Sequence, residues 1–167
     1  MRALAVDMSA SSSLSLKRLC CQLSRDPVVA TLPTTLALRC GDNGTGDEVG
    51  YSILFSKLRR LEQLRISAFS MSLSTDWMLK VGPSIGHSLR KLVFCSGHPT
   101  SSVTLPDPTS FFQDLVVLEE LSVESEHFRF GVVGKAWPDG AKGLSKLRTV
   151  ECSNFHQSVL DALASFP

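Results

Sequence analysis

Apolar residues in this chain recur in two alternating patterns. The first is Leu58-x-x-Leu61-x-x-Leu64-x-Ile66. The same spacing returns as Leu115-x-x-Leu118-x-x-Leu121-x-Val123 and as Leu144-x-x-Leu147-x-x-Val150-x-Cys152. Leu89-x-x-Leu92-x-Phe94 keeps it with Gly86 in the first apolar place. The anchors Leu61, Leu89, Leu118 and Leu147 stand 28, 29 and 29 residues apart. A weaker copy, Leu36-x-Leu38, follows Pro33, and Leu4-x-Val6 is the weakest. The closing pair of each motif alternates with its neighbours at period two, as in a strand with one face inward.

The second pattern fills the intervals with helical spacing. Leu16, Leu19, Cys20 and Leu23 form one stripe, and Val49, Ile53, Leu54 and Leu58 another. Asp47 or Glu48 opens that second helix, with Asp47 or Thr45 as its cap. Ser74 precedes Trp77, Met78 and Val81; Pro108-Thr109-Ser110 precedes Phe111, Phe112 and Leu115. Val159, Leu160 and Leu163 close the series. Between Phe130 and Gly143, the residues Pro138, Gly140 and Gly143 predict a short turn or loop.

Self-similarity at this period points to stacked units, because a strand of three or four residues cannot bury its leucines alone. The predicted fold is α/β: a solenoid with short parallel strands on its inner face and helices and loops on its outer face. Residues 1–167 read as one domain of about six irregular units, each roughly 28–29 residues long. These motifs resemble the leucine-rich repeat family, in its ribonuclease-inhibitor type. The closest stretch runs from Leu36-Ala37-Leu38-Arg39-Cys40-Gly41-Asp42-Asn43 through Asp47-Glu48-Val49 to Leu64-Arg65-Ile66. The family's Asn or Cys three residues after the last strand leucine is replaced here by Ser9, Gly41, Phe69, Gly97, Glu126 and Phe155. That departure marks a divergent member and puts smooth curvature in doubt.

In such a fold the strand positions flanking the buried residues meet a partner. They are Thr35, Ala37 and Arg39; Gln63, Arg65 and Ser67; Lys91, Val93 and Cys95; Glu120, Ser122 and Glu124; and Thr149, Glu151 and Ser153. The protein-binding candidates among them are Arg39, Gln63, Arg65, Lys91, Glu120, Glu124 and Glu151. Cations come early and carboxylates late, which predicts two patches of like charge side by side.

Composition narrows the function classes. Seventeen Lys+Arg against 16 Asp+Glu leave a net charge of +1, so a polyanion such as nucleic acid is not the expected partner. No apolar run has the length of a membrane span. The five cysteines are odd in number, and Cys20 and Cys21 are adjacent, unlike a disulfide framework. Met1 to Leu23 lacks the continuous apolar core of a signal peptide. A reduced, cytoplasmic protein is expected, in which the Asn43-Gly44-Thr45 sequon has no role.

Catalytic and cofactor chemistry find little support. Cys95-x-x-His98 and Cys152-x-x-x-His156 invite a zinc reading, but they lie two units apart. The loop from Gly41 to Gly46 lacks the Lys-Ser/Thr ending of a phosphate loop and the spacing of a calcium loop. Serines and histidines are present without a nucleophile-elbow motif. The expectation is therefore no enzyme, no cofactor and no metal. The resemblance implies a protein-interaction scaffold, akin to the recognition portion of F-box-type ubiquitin-ligase adaptors, or else the sensor portion of a nucleotide-binding immune or signalling receptor. Neither an F-box nor a nucleotide-binding domain is read in this sequence. Both ends read as uncapped, which predicts a fragment of a longer repeat protein or association through the ends.

Overall fold

The computed structural model describes residues 3–8, 13–40, 48–68, 81–96, 103–105, 108–124, 128–130, 143–153 and 157–164. In chain order these form β1 (Ala3–Met8), α1 (Ser13–Arg25), α2 (Pro27–Ala30), β2 (Thr35–Cys40), α3 (Glu48–Lys57), β3 (Gln63–Ala68), α4 (Val81–Ile85) and β4 (Lys91–Ser96). There follow β5 (Val103–Leu105), α5 (Pro108–Phe112), β6 (Glu120–Val123), β7 (Phe128–Phe130), β8 (Thr149–Cys152) and α6 (Gln157–Ala164). The architecture is α/β. Six strands make one all-parallel sheet in the order β1-β2-β3-β4-β6-β8.

Register follows the sequence motif without slippage. Leu36, Leu64, Leu92, Leu121 and Val150 are successive cross-strand partners, and so are Leu38, Ile66, Phe94, Val123 and Cys152. The members of these two rows on β2, β3, β4 and β6 are all buried. They share one core with Leu54, Phe55 and Leu58 of the α3 segment, Val81 and Ile85 of α4, and Phe111 and Phe112 of α5. Helices thus cover one face of the sheet, with α1 packed on α3, α3 on α4 and α4 on α5. Removing each leucine side chain from water contributes about 1.5–3 kcal/mol.

The Leu-x-x-Leu element has its own physical role. The amides of Leu61, Leu118 and Leu147 donate to the carbonyls of Leu58, Leu115 and Leu144, closing one tight turn before each strand. A second repeating bond set joins consecutive strands. The Thr34 carbonyl accepts the amides of Glu62 and Gln63, and the Glu62 carbonyl accepts those of Arg90 and Lys91. The Arg90 carbonyl accepts from Glu119 and Glu120, and the Glu119 carbonyl from Arg148 and Thr149. One backbone group per unit therefore fixes where the next strand starts.

Gly86 occupies an apolar place in the motif because there is no room there for a side chain. A Cβ on it would lie 2.1 Å from the Asp114 carbonyl oxygen. Asp26 caps the short α2 by accepting from the Val28 amide at 3.0 Å, with Pro27 at the first helical position. Leu144, which opens the last motif, holds a left-handed backbone at φ 59°. That conformation costs a branched residue roughly 1–2 kcal/mol.

Several expectations are corrected. A second parallel pair, β5 with β7, was not foreseen, and it places Phe128 and Phe130 in a strand. The inward face of α3 is Tyr51, Leu54 and Phe55, with Leu58 just beyond its end, and Ile53 is 40% exposed. In α6 Val159 is buried while Leu160 is exposed. Val150 and Cys152 were expected inward, yet Val150 is 44% exposed and Cys152 only half-buried; among the described residues β8 is paired on one side only. Ser74, Trp77 and Met78, the Gly41–Gly46 loop with its sequon, and all six turn positions from Ser9 to Phe155 lie outside the described residues.

Candidate functional site

The face of the sheet turned away from the helices carries every residue named above as a candidate. Strand pairing sets its residues in three rows. The first runs Ala3, Thr35, Gln63, Lys91, Glu120, Thr149. The second runs Ala5, Ala37, Arg65, Val93, Ser122, Glu151. The third begins Asp7, Arg39, Ser67, Cys95 and continues through Glu124 to Ser153. The Glu124 amide donates to the Phe94 carbonyl and the Ser153 amide to the Val123 carbonyl, which carries the ladder past the ends of β6 and β8.

The cations stand on the adjacent strands β2, β3 and β4 and the carboxylates on or just beyond β6 and β8, but like charges do not share a row. Lys91, Arg65 and Arg39 fall in three different rows, so they run diagonally rather than side by side. Two of them meet carboxylates at the middle of the face. Lys91 Nζ lies 2.6 Å from Glu120 Oε2 on the adjacent strand. Arg65 reaches over β4 to Glu124, with its Nη2 donating to Oε2 at 2.8 Å. Strand spacing of ~4.8 Å places these two residues about two strand widths apart, within reach of an extended arginine. The hydrogen bond to Glu120 is the main reason the Lys91 pKa stands above the usual lysine value, helped by the fields of Glu120, Glu151 and Glu124 and opposed by partial desolvation.

The middle of the face is also less open than expected. Val93, Cys95 and Ser122, expected to be exposed, are only 7%, 9% and 6% exposed. The Cys95 thiol donates to the Ile66 carbonyl at 3.4 Å and lies 2.8 Å from the Ser67 hydroxyl. Arg65 and Glu124 meet across this stretch of β4. Arg39, Arg65, Glu120, Glu124 and Glu151 are exposed, and Gln63 and Lys91 are half-exposed.

A neighbouring row of charges went unnoticed in the sequence. Glu62, Arg90, Glu119 and Arg148 immediately precede their strands and alternate in sign from unit to unit. Arg90 and Glu119 form an ion pair. Its signal was present in the same 28–29-residue spacing, one residue before the positions that were compared.

Cys20, Cys21, Cys95 and Cys152 are in no disulfide among the described residues, and burial raises the pKa of the Cys152 thiol. His98 and His156 lie outside the described residues, and among the described residues no cluster of three or more potential metal ligands occurs. Among the described residues, no helix is long and apolar enough to cross a membrane. Compared with known proteins, the chain matches no family model, no curated protein and no solved structure.

Proposed function

We propose that this chain is a non-catalytic scaffold of the leucine-rich repeat kind, a solenoid that holds another protein against the exposed face of its parallel sheet. The in-register stacking of one motif across the sheet carries this reading. It yields a stiff ribbon of alternating side chains with polar groups on the side the helices leave open. The face combines exposed charges with the nearly closed Val93–Cys95 centre, a mixture suited to orienting a protein partner. Substrate recognition for a ubiquitin ligase is the favoured role, on the likeness to F-box-type adaptors; the sensor part of a nucleotide-binding receptor is the alternative.

A photo-crosslinking residue placed at Gln63 tests the face, with one at Ile53 on the solvent side of α3 as the control. Discrete adducts from Gln63 alone support the reading, whereas equal adducts from both positions speak against it. Co-elution of the purified chain with a cullin-type adaptor separates the ligase role from the sensor role.

A further inference from the structure

We infer that the row of turns at the starts of the strands binds an acidic segment of another protein, with carboxylates at its two ends and apolar side chains between them. This surface borders the open sheet face but shares no residue with it, so it adds a second contact to the scaffold.

The strip is built by stacking. One turn precedes each of β3, β4, β6 and β8, and the two middle positions of these turns are Arg59-Arg60, His87-Ser88, Val116-Val117 and Ser145-Lys146. Direct contacts hold each turn against the next. The Ser88 hydroxyl donates to the Leu61 carbonyl at 2.9 Å. Gly86 lies so close to the Asp114 carbonyl that a Cβ has no room. The Leu144 amide donates to the Leu115 carbonyl at 3.3 Å. The middle positions therefore form one continuous strip. With strands ~4.8 Å apart, Arg59-Arg60 and Ser145-Lys146 stand roughly 14 Å apart at its two ends.

Cations crowd both ends. Arg59, Arg60, Lys146 and Arg148 are exposed, and none of them forms an ion pair among the described residues. On the sheet face, by contrast, Arg65 and Lys91 each meet a carboxylate. Of the carboxylates bordering the strip, Glu119 is held by Arg90, Asp114 is half-buried against Gly82, and Glu62 is exposed. Four unpaired cations against Glu62 make the strip more positive than the whole chain, whose net charge is +1. The helix dipole accounts for Lys57 in the last turn of α3. It does not account for Arg59 and Arg60 beyond that helix, or for Lys146 and Arg148, which no described helix immediately precedes.

Between the charged ends stand Val116 and Val117, half-exposed at positions that carry polar residues in the other three turns. An extended peptide advances ~3.3 Å per residue, so about four residues bridge the two ends. Carboxylates over Arg59-Arg60 and over Lys146 and Arg148, with apolar side chains over the valines, match the strip position by position. A nucleic-acid backbone is charged at every step and would lay phosphates over the valines and beside Glu62. A bilayer surface is also a poorer match, because interfacial binding uses large apolar and aromatic side chains rather than a half-exposed valine pair.

The test uses the full chain and three labelled hexapeptides: Glu–Glu–Leu–Val–Glu–Glu, its Lys-for-Glu version, and a version with Ser–Ser at the centre. Fluorescence anisotropy gives the affinities, and amide chemical shifts give the place. The acidic apolar peptide should bind at least tenfold tighter than the lysine version and fivefold tighter than the serine version. It should shift the amides of residues 59–60, 116–117 and 145–146, and weaken as salt rises. Arg59→Glu with Arg60→Glu, and separately Lys146→Glu with Arg148→Glu, should each weaken it at least fivefold. Arg18→Glu, an exposed reversal on α1, should leave binding unchanged. No binding of the acidic apolar peptide, equal affinity for the serine version, shifts elsewhere, or an equal loss in Arg18→Glu would overturn the proposal. So would tighter binding of a single-stranded RNA or of phosphatidylserine vesicles at the same amides. The crosslinks from Gln63 are read independently, so the strip can fail while the scaffold reading stands.

Discussion

β4 and β8 carry versions of the same motif and sit two strands apart, yet they occupy different environments. On β4 the inward residues Leu92 and Phe94 are wholly buried, and even the outward Val93 and Cys95 are nearly so. On β8 the inward Val150 is 44% exposed and Cys152 only half-buried. The motif fixes which way a side chain points; the neighbouring strand determines whether that direction is dry. Strand length follows the same trend, falling from six residues in β1 to β4 to four in β6 and β8. Leu144, ahead of β8, also holds the one left-handed non-glycine backbone among the described residues.

The contrast is sharpest for cavity-forming substitutions. Leu92→Ala should cost about 2–5 kcal/mol in urea unfolding, while Val150→Ala should cost less than about 1 kcal/mol, since half-exposed groups lose little transfer energy. Equal losses at the two sites would erase the distinction between centre and edge. Gly86→Ala comes next. Its Cβ meets the Asp114 and Gly82 carbonyl oxygens, so a loss of about 1–3 kcal/mol is expected from overpacking. A neutral outcome would mean that this turn does not pack against the following unit.

Smaller effects probe the charged face over β4. Glu124→Gln breaks the Arg65 pair, whose members are both well exposed, so stability should fall by no more than about 1 kcal/mol. Reactivity of Cys95 toward a thiol reagent should rise at the same time if the pair shields β4; an unchanged rate would place the shielding elsewhere. The weakest effect is pH-dependent. The folded-state pKa of Lys91 lies above the unfolded value of 10.5, so its pairing stabilises the fold fully below that pH and is lost as pH rises through the folded pKa. Unfolding midpoints of the native chain and Glu120→Gln should therefore differ slightly at pH 8 and converge on strong alkalinisation. A gap that widened with pH would contradict the pairing.

Much of the sheet was legible in the sequence because the motif repeats. The offset from Leu64 to Leu92 to Leu121 to Val150 sets the register, and the position of Glu48 sets the start of α3. Less visible was anything that depends on a neighbour outside the motif. Val93 and Cys95 read as open positions because period two marks them outward, yet they are only 7% and 9% exposed. The charges read as two blocks because they were grouped by chain order; register dispersed Arg39, Arg65 and Lys91 among three rows. The pair β5 and β7 escaped because three residues such as Val103–Leu105 carry too short a pattern to be told from a loop. At Val150 the motif marked an inward position, and only the strand order shows that, among the described residues, β8 is paired on one side alone.

The most direct measurement is the set of interstrand nuclear Overhauser contacts between backbone amide and Hα protons in isotopically labelled full-length protein. Parallel stacking in the motif's register requires contacts linking the Leu36, Leu64, Leu92, Leu121 and Val150 positions in succession, with Val150 at the end of the series. Antiparallel contacts, a shifted register, or a different strand between β4 and β6 would contradict the repeat-by-repeat construction on which the interaction face depends.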